Sequence, residues 1–222
     1  MKRLVLLAIL ILGLIGTQIQ ATDIIKPRVL VSTDIGGTDP DDNQSMAHLL
    51  MYTDCLDLEG IVSSPSYGSG NREEILRMID LYEKDLPKLS EHIKGLMSPA
   101  ELRAITKQGR KGAAPYRGFL TPTEGSRWIV QCARRQDERP LWISVWGGLD
   151  DVAQALHDAP DIVDKIRVYW IGGPNKKWST NSYAYIVENF PNSWRRLYQL
   201  LQGHPQDGRH TGTSLCDGRQ SR

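Results

Sequence analysis

Short hydrophobic segments alternate along the chain with longer stretches in which hydrophobic residues recur at helical spacing. The short segments are rich in β-branched residues and end at glycine, proline or acidic residues, which is typical of buried strands. Strands that alternate with helices indicate an α/β fold with a mostly parallel sheet and right-handed crossovers. Four strands are predicted, at Arg28–Asp34, Leu58–Ser63, Leu141–Trp146 and Ile166–Ile171.

The longer stretches have the period of amphipathic helices. Residues 85–122 contain four prolines, so only one short helix is expected there, within irregular chain. Either Thr121 or Thr123 could cap the helix that follows. The helices are predicted from Asp42 onward and at Asn71–Lys84, Pro99–Lys107, Thr123–Arg135 and Val152–His157.

The first 21 residues have the organisation of a secretory signal peptide. Lys2 and Arg3 precede an apolar run from Leu4 to Ile15, and small and polar residues follow up to Ala21. This order is typical of a cleaved export signal. An uncleaved anchor is the alternative, but the run is shorter than the roughly 20 residues of a membrane span. We therefore expect an exported protein, periplasmic or extracellular, that meets a membrane only through this peptide.

The composition is that of an ordinary globular protein. Hydrophobic residues make up 40% of the 222 residues and charged residues 24%, which excludes a disordered, collagen-like or multi-span membrane chain. A formal net charge of +1 gives no reason to expect a nucleic-acid partner. Three scattered cysteines argue against a disulfide framework and against a structural zinc site.

The densest group of chemically active side chains follows the first predicted strand. The segment Asp34-Ile-Gly-Gly-Thr-Asp-Pro-Asp-Asp42 places four carboxylates within nine residues, on a glycine-rich turn before a helix. Like charges this close repel one another by several kcal/mol in a half-buried site, and a bound cation would relieve the repulsion. Oxygen ligands favour Ca²⁺ or Mg²⁺ over zinc. The alternative is a solvated turn in which Asp42 caps the next helix.

Two other motifs share features with this acidic loop. The letters Asp-Ile-Gly-Gly-Thr are similar to the phosphate loop of sugar kinases, but here they lead into a helix instead of the second strand of a hairpin. An EF-hand loop needs acidic residues at alternate positions and a glutamate at the twelfth, and this segment has neither. A sugar kinase therefore ranks behind the interpretations that follow.

The order strand, Asp34, Asp41-Asp42 and helix resembles the opening motif of the inosine-uridine nucleoside hydrolases. Its particular form is similar to a divergent exported branch of that superfamily, called nucleoside-hydrolase-like and sometimes labelled cellulose-binding. The resemblance spans residues 28–194 and implies a Rossmann-like α/β fold. Further matching segments follow in order: Glu59-Gly-Ile-Val-Ser-Ser, Gly70-Asn71, Trp146-Gly-Gly-Leu-Asp-Asp-Val and Ile171-Gly-Gly-Pro174.

The resemblance implies a role for residues at the predicted carboxyl edge of the sheet. Asp34 and Asp42, with the backbone carbonyl of Asp150, would bind Ca²⁺, and Asp34 would take the proton of the attacking water. The implied reaction is hydrolysis of an N-ribosyl or related glycosidic bond by a water that Ca²⁺ activates. The hydroxyl groups of the substrate, a nucleoside or other carbohydrate, would be held by Asp41, Asn71, Asn181, Glu188 and Asn189.

Each of these residues also has a structural interpretation. Asn71 would cap a helix, Asn181 would lie in a turn, Glu188-Asn189 would end a helix, and Asp150 would begin one. We favour the functional interpretation because all of them fall at the predicted carboxyl edge, where ligands bind in such sheets. The alternative function is that of an exported carbohydrate-binding protein that retains the acidic pocket without turnover.

Aromatic and histidine residues add little to this prediction. Most tryptophans lie in or beside predicted strands and are expected in the core, but Trp146 and Trp178 could face a sugar at the mouth of the site. His48, His92 and His157 have no partner at ligand spacing and are expected to play no part in the site.

The resemblance also implies that the domain is incomplete. Members of the family are longer, and a late segment of theirs supplies a further calcium-binding aspartate that has no counterpart here. Residues 195–222 lack valine and isoleucine, so we expect an incomplete domain over 22–194 and a divergent or out-of-frame tail. A genuine disordered terminus is the alternative. Because Ca²⁺ takes 6–8 oxygen ligands, little or no nucleosidase activity is expected of this chain.

Overall fold

Five parallel strands form one sheet in the part of the chain that the structure describes. This computed structural model describes residues 25–37, 40–65, 67–68, 70–173 and 175–191, so the predicted signal peptide and the tail after 194 lie outside it. The spatial order is β3-β2-β1-β4-β5, and every neighbouring pair is parallel. The strands are β1 (Arg28–Thr33), β2 (Asp57–Ser63), β3 (Thr106–Gln108), β4 (Leu141–Val145) and β5 (Ile166–Trp170).

Helices connect the strands and cover both faces of the sheet. None of those described is long and apolar enough to cross a membrane. A 3₁₀ turn at Pro160–Ile162 precedes β5. The helices are α1 (Asp41–Met51), α2 (Arg72–His92), α3 (Pro99–Ile105), α4 (Glu124–Ala133), α5 (Asp150–Asp158), α6 (Asn175–Trp178) and α7 (Thr180–Asn189).

The core consists of two hydrophobic clusters, one on each side of the sheet. Successive strand residues point to opposite faces, and the neighbours Leu30 and Val31 of β1 accordingly belong to different clusters. Leu30 packs with residues of α4, α5 and α7, and Val31 packs with residues of α1, α2 and α3. Burial on both faces is what an all-parallel sheet requires, so the predicted α/β class is confirmed.

All four predicted strands are present, and the structure adds a fifth. The short strand β3 replaces the end of the predicted helix Pro99–Lys107, which stops at Ile105. Thr106, Lys107 and Gln108 pair with the end of β2. Three residues are too few to show the alternation by which a strand is recognised in sequence.

Helix α2 is longer than predicted, because it continues through Pro87 to His92. A proline inside a helix removes a backbone hydrogen bond, which is why the sequence placed the end near Lys84. Leu86 and Leu89 on either side of Pro87 pack against the hydrophobic cluster under α2. This tertiary packing holds the helix together across the proline.

The helix ends show which capping predictions are correct. Helix α1 begins at Asp41 and has Pro40 at its N-cap position, so the suggestion that Asp42 is the cap is wrong. Thr123 caps α4 as predicted, in a reciprocal arrangement with Ser126. The chain after β5 forms two helices, α6 and α7, of which the sequence indicated only the end of α7, through the structural interpretation of Glu188-Asn189.

Candidate functional site

The acidic loop connects the end of β1 to the start of α1 at the carboxyl edge of the sheet. Its two ends are tied together, because the Thr33 hydroxyl donates to the carboxylate of Asp42. The Thr33 hydroxyl oxygen also accepts from the backbone N–H of Ile35 at 3.0 Å. Asp42 is buried, and its bond with Thr33 holds the start of α1 against the end of β1.

Asp34 reaches from this loop to the loop that follows β4. A Cβ added at Gly147 would lie 2.6 Å from Asp34 Oδ1, which is closer than non-bonded atoms approach. Only glycine therefore leaves room for the Asp34 side chain. The predicted catalytic residue is half-buried between the ends of β1 and β4.

Asn71 approaches the acidic loop from the end of β2. Gly36 has a φ of +86°, and a Cβ at this position would lie 3.0 Å from Asn71 Cβ. The Asn71 side chain also accepts from the backbone N–H of Glu73 at 3.1 Å and so caps α2. The structural interpretation of Asn71 is therefore confirmed, and the residue still lies against the loop that was predicted to bind the substrate.

The structure brings Asp34, Asp41, Asp42 and Asn71 to one region of the carboxyl edge. Asp41 accepts from the backbone N–H of Asp42 at 2.8 Å, in the first turn of α1. Asn43, which the sequence analysis missed, donates to Glu74 at 2.6 Å and so links the first turns of α1 and α2. No sequence pattern points to this pair, because its members are far apart along the chain.

Asp150 begins α5, as its structural interpretation predicted, and its side chain is buried. The carboxylate accepts from the backbone N–H of Ala114 at 3.0 Å and from the hydroxyl of Ser182 on α7. Burial raises its pKa. The side chain of Asp150 thus joins neighbouring segments. Calcium binding by the backbone carbonyl of Asp150 stays a prediction.

Asp151, the next residue, is completely buried. It accepts from the backbone N–H of Arg110 at 2.9 Å and from the hydroxyl of Thr123. Burial raises the pKa of this carboxyl too, and the hydrogen bonds act in the opposite direction. Asp150 and Asp151 together attach the segment 109–123 to the start of α5.

The other three predicted substrate residues lie on α7, in a separate cleft. This cleft has a volume of about 610 Å³ and also takes in His157 at the end of α5. Phe119 stacks on His157 with ring centroids 3.6 Å apart. The residues of the acidic loop are not among those that line it. The predicted residues in this cleft, designated the α7 cleft, are Asn181, Glu188 and Asn189.

The α7 cleft exists because residues 180–189 form a helix. Asn181 and Glu188 are seven residues apart, which places them on one side of a helix. The turn suggested for Asn181 is wrong, and the helix end suggested for Glu188-Asn189 is confirmed, since α7 ends at Asn189. Only Ser182 and Ile186 of this helix are buried, so its sequence carries little of the apolar pattern that marks a helix.

The acidic loop offers the type of ligand that calcium prefers, because its side chains are carboxylates. One oxygen of Asp42 accepts from Thr33, and the Asp41 carboxylate accepts from the Asp42 backbone. Within the described ranges, no group of three or more histidine, cysteine, aspartate or glutamate side chains could hold a metal ion. The donor chemistry fits Ca²⁺, but a complete shell would need further ligands.

These features define a class of protein. A parallel sheet covered on both faces, with an acidic loop after β1 and a glycine turn after β4, is the arrangement expected of a nucleoside-hydrolase-like α/β protein. The sequence profile described as "Cellulose-binding Sde182, nucleoside hydrolase-like domain" matches residues 28–214. The chain belongs to this family, and the resemblance drawn from the sequence is confirmed.

Solved structures of related proteins agree with this assignment. A nucleoside hydrolase-related hypothetical protein from Saccharophagus degradans, associated with carbohydrate metabolism, has 31% sequence identity and a TM-score of 0.67. The match covers 76% of this chain and 43% of that protein. This chain therefore spans less than half the length of its Saccharophagus relative.

Nucleoside hydrolases match at lower identity. The inosine-uridine preferring nucleoside hydrolase of Bacillus anthracis has 17% identity and a TM-score of 0.40, over 74% of this chain and 62% of that one. The purine-preferring ribonucleoside hydrolase of Gardnerella vaginalis has 18% identity and a TM-score of 0.42, over 66% and 48%. None of the curated proteins matches the chain.

Proposed function

We propose that this chain carries the acidic, sugar-binding part of a site that hydrolyses an N-ribosyl or related glycosidic bond. The observation that carries the proposal is the meeting of three loops at the carboxyl edge. Asp34 lies against Gly147, and Asn71 lies against Gly36. In parallel sheets this edge is where ligands bind.

In this proposal each side chain positions a reacting group. Asp34, half-buried at the centre, accepts a proton from the attacking water. Asp41 and Asn71 hold sugar hydroxyl groups, and Thr33 keeps Asp42 oriented through its hydrogen bond. Ca²⁺ held by Asp34, Asp42 and the Asp150 carbonyl would lower the pKa of that water. Correct orientation of reacting groups can itself lower a barrier by several kcal/mol.

In this proposal the residues of the α7 cleft bind a second portion of the substrate. Asn181, Glu188 and Asn189 would contact a portion of the substrate beyond the sugar at the acidic loop, because they line a cleft of their own. The first 21 residues support export, so the protein would meet its substrate outside the cytoplasm.

A second candidate function is carbohydrate binding without turnover. It is supported by the description of the family as cellulose-binding and by the association of the Saccharophagus relative with carbohydrate metabolism. In that case the acidic loop would hold the hydroxyl groups of a glucan chain without cleaving it.

Calcium binding tests the proposed ligands of the acidic loop, whether the site hydrolyses a glycosidic bond or only binds a carbohydrate. Asp42→Asn keeps an oxygen that can accept from Thr33 but removes the charge, so we expect it to weaken Ca²⁺ binding strongly. Asp39→Asn is the matched control, because it removes one charge from the same acidic loop at a residue that the resemblance does not assign to calcium. The affinities are measured by isothermal titration calorimetry on the 222-residue chain. Equal effects of the two substitutions would contradict the proposed ligand assignment.

A further inference from the structure

Two exposed aromatic rings meet at the same edge of the sheet as the acidic loop. Tyr67, which follows β2, is 56% exposed, and Trp178 at the end of α6 is 41% exposed. Their ring centroids are 4.6 Å apart and their planes are tilted by 47°. Contiguous exposed apolar surface, unlike a single exposed residue, is a mark of binding sites.

The segments that carry the two rings both contact the loop between β4 and α5. A Cβ at Gly148 would lie 2.8 Å from the carbonyl carbon of Pro65, two residues before Tyr67. The hydroxyl oxygen of Ser179, the residue after Trp178, accepts from the backbone N–H of Leu149 at 3.1 Å. The loop between β4 and α5 therefore contacts the chain close to both members of the pair.

The same loop connects the pair to the proposed catalytic residue. Gly147 packs against the Asp34 side chain, and Gly148 packs against the segment that carries Tyr67. Because these glycines are consecutive, the segment that carries Tyr67 and the Asp34 side chain contact adjacent points of one loop. A ligand longer than a single sugar could contact both.

We propose that Tyr67 and Trp178 form a platform on which one sugar ring of an oligosaccharide stacks, beside the sugar held at the acidic loop. The inference rests on the proposed sugar-binding role of that loop. The face of an aromatic ring carries negative charge, which attracts the C–H groups on the face of a sugar ring. Lys177 Nζ lies over the Trp178 ring, 4.7 Å from its centroid, so a sugar on the platform would stack beside this ammonium, which supplies donors for its hydroxyl groups.

The tilt of the rings favours a sugar over a nucleobase. Two rings at 47° to each other do not make a parallel-walled slot for a flat base. A puckered sugar ring needs only one aromatic face at a time, and its hydroxyl groups remain free to reach the acidic loop. A nucleobase is therefore the competing ligand that the experiment must distinguish.

The experiment measures binding of cellohexaose and of inosine to the 222-residue chain by isothermal titration calorimetry in excess Ca²⁺. We expect Trp178→Ala and Tyr67→Ala each to weaken cellohexaose binding by about tenfold or more, as for other aromatic anchors. Trp178→Phe, which keeps a ring, should restore part of the affinity. Tyr169→Ala is the control, because Tyr169 is a 53% exposed aromatic residue on β5, outside the pair.

Asp34→Asn separates this inference from the proposed function. Loss of cellohexaose binding in Asp34→Asn, with normal binding by both ring variants, would contradict the platform and support the sugar-binding role of the acidic loop. If the ring variants weaken cellohexaose binding and Asp34→Asn does not, the result supports the platform and contradicts the sugar-binding role of the acidic loop. Ring-dependent binding of inosine without cellohexaose binding, or no binding of either ligand, overturns the platform.

Discussion

Single residues at the carboxyl edge serve the fold and the proposed site together. Asn71 caps α2 with its side chain and also packs against the acidic loop. Asp42 accepts a hydrogen bond that closes the loop and is a proposed calcium ligand. Such a double role means that a substitution must be assessed for both stability and binding.

A substitution at Gly147 tests whether stability and calcium binding depend on the same contacts, without removing any functional group. Gly147→Ala would push its new methyl group into the Asp34 carboxylate. We expect a loss of about 1–3 kcal/mol in the free energy of unfolding and weaker Ca²⁺ binding. Both are measured by thermal unfolding with and without Ca²⁺.

Gly112→Ala is the matched control, because a Cβ at Gly112 meets no atom within 4 Å. It should leave Ca²⁺ binding unchanged. If Gly147→Ala behaves like this control, Asp34 does not occupy the space beside Gly147, and the proposed meeting of the loops at this point is wrong.

At the scale of elements, helix α5 fastens an otherwise irregular segment to the sheet. Gln154 of this helix accepts from the backbone N–H of Leu120 at 2.8 Å and from the Arg110 guanidinium at 3.1 Å. Asp150 and Asp151 add bonds to the backbone of Ala114 and Arg110. Buried polar groups of this kind stabilise a fold only while each has its partner.

Asp151→Ala should therefore be strongly destabilising. It leaves the Arg110 N–H and the Thr123 hydroxyl without their acceptor, and each buried donor without a partner costs about 1–3 kcal/mol. Urea unfolding gives the loss of stability, and hydrogen exchange should show faster exchange within residues 109–123. Asp161→Ala, which breaks the exposed pair with Arg134, should leave the free energy of unfolding nearly unchanged, because solvent screens exposed ion pairs. Equal losses for the two variants would contradict the anchoring role of Asp151.

At the scale of the whole molecule, this chain covers 43% of its Saccharophagus relative. In the proposed function the acidic loop supplies a base and part of a calcium shell. The described residues contain no group of three or more histidine, cysteine, aspartate or glutamate side chains that could hold the ion. Loss of one ligand removes more activity than the 10–100-fold that a hydrogen-bonding partner of a ligand contributes. A site of this kind depends on every one of its ligands.

We expect residues 22–222 to show little or no hydrolysis of nucleosides. The assay offers several nucleosides in excess Ca²⁺ and follows release of the base by absorbance. A variant with Asp34→Ala serves as the background. Turnover well above that background would show that the residues of this chain suffice for the reaction, and that the expectation of an incomplete site is wrong.

Local sequence patterns determined four of the five described strands, the parallel sheet, the acidic loop and the family. These features depend on residues close together in the chain, such as the β-branched run of β1 or the four acidic residues from Asp34 to Asp42. The Asn71 cap and the Thr123 cap could be predicted for the same reason, since a cap bonds a backbone N–H two or three residues away.

Only the tertiary structure decided how the predicted site residues are grouped. It placed Asn181 and Glu188 in a cleft apart from Asp34, turned the Asp150 side chain toward Ala114 and Ser182, and brought Tyr67 to Trp178. Each of these contacts joins residues that are distant in sequence. Their formation depends on how the sheet and its helices pack, which no local pattern of hydrophobic and polar residues encodes.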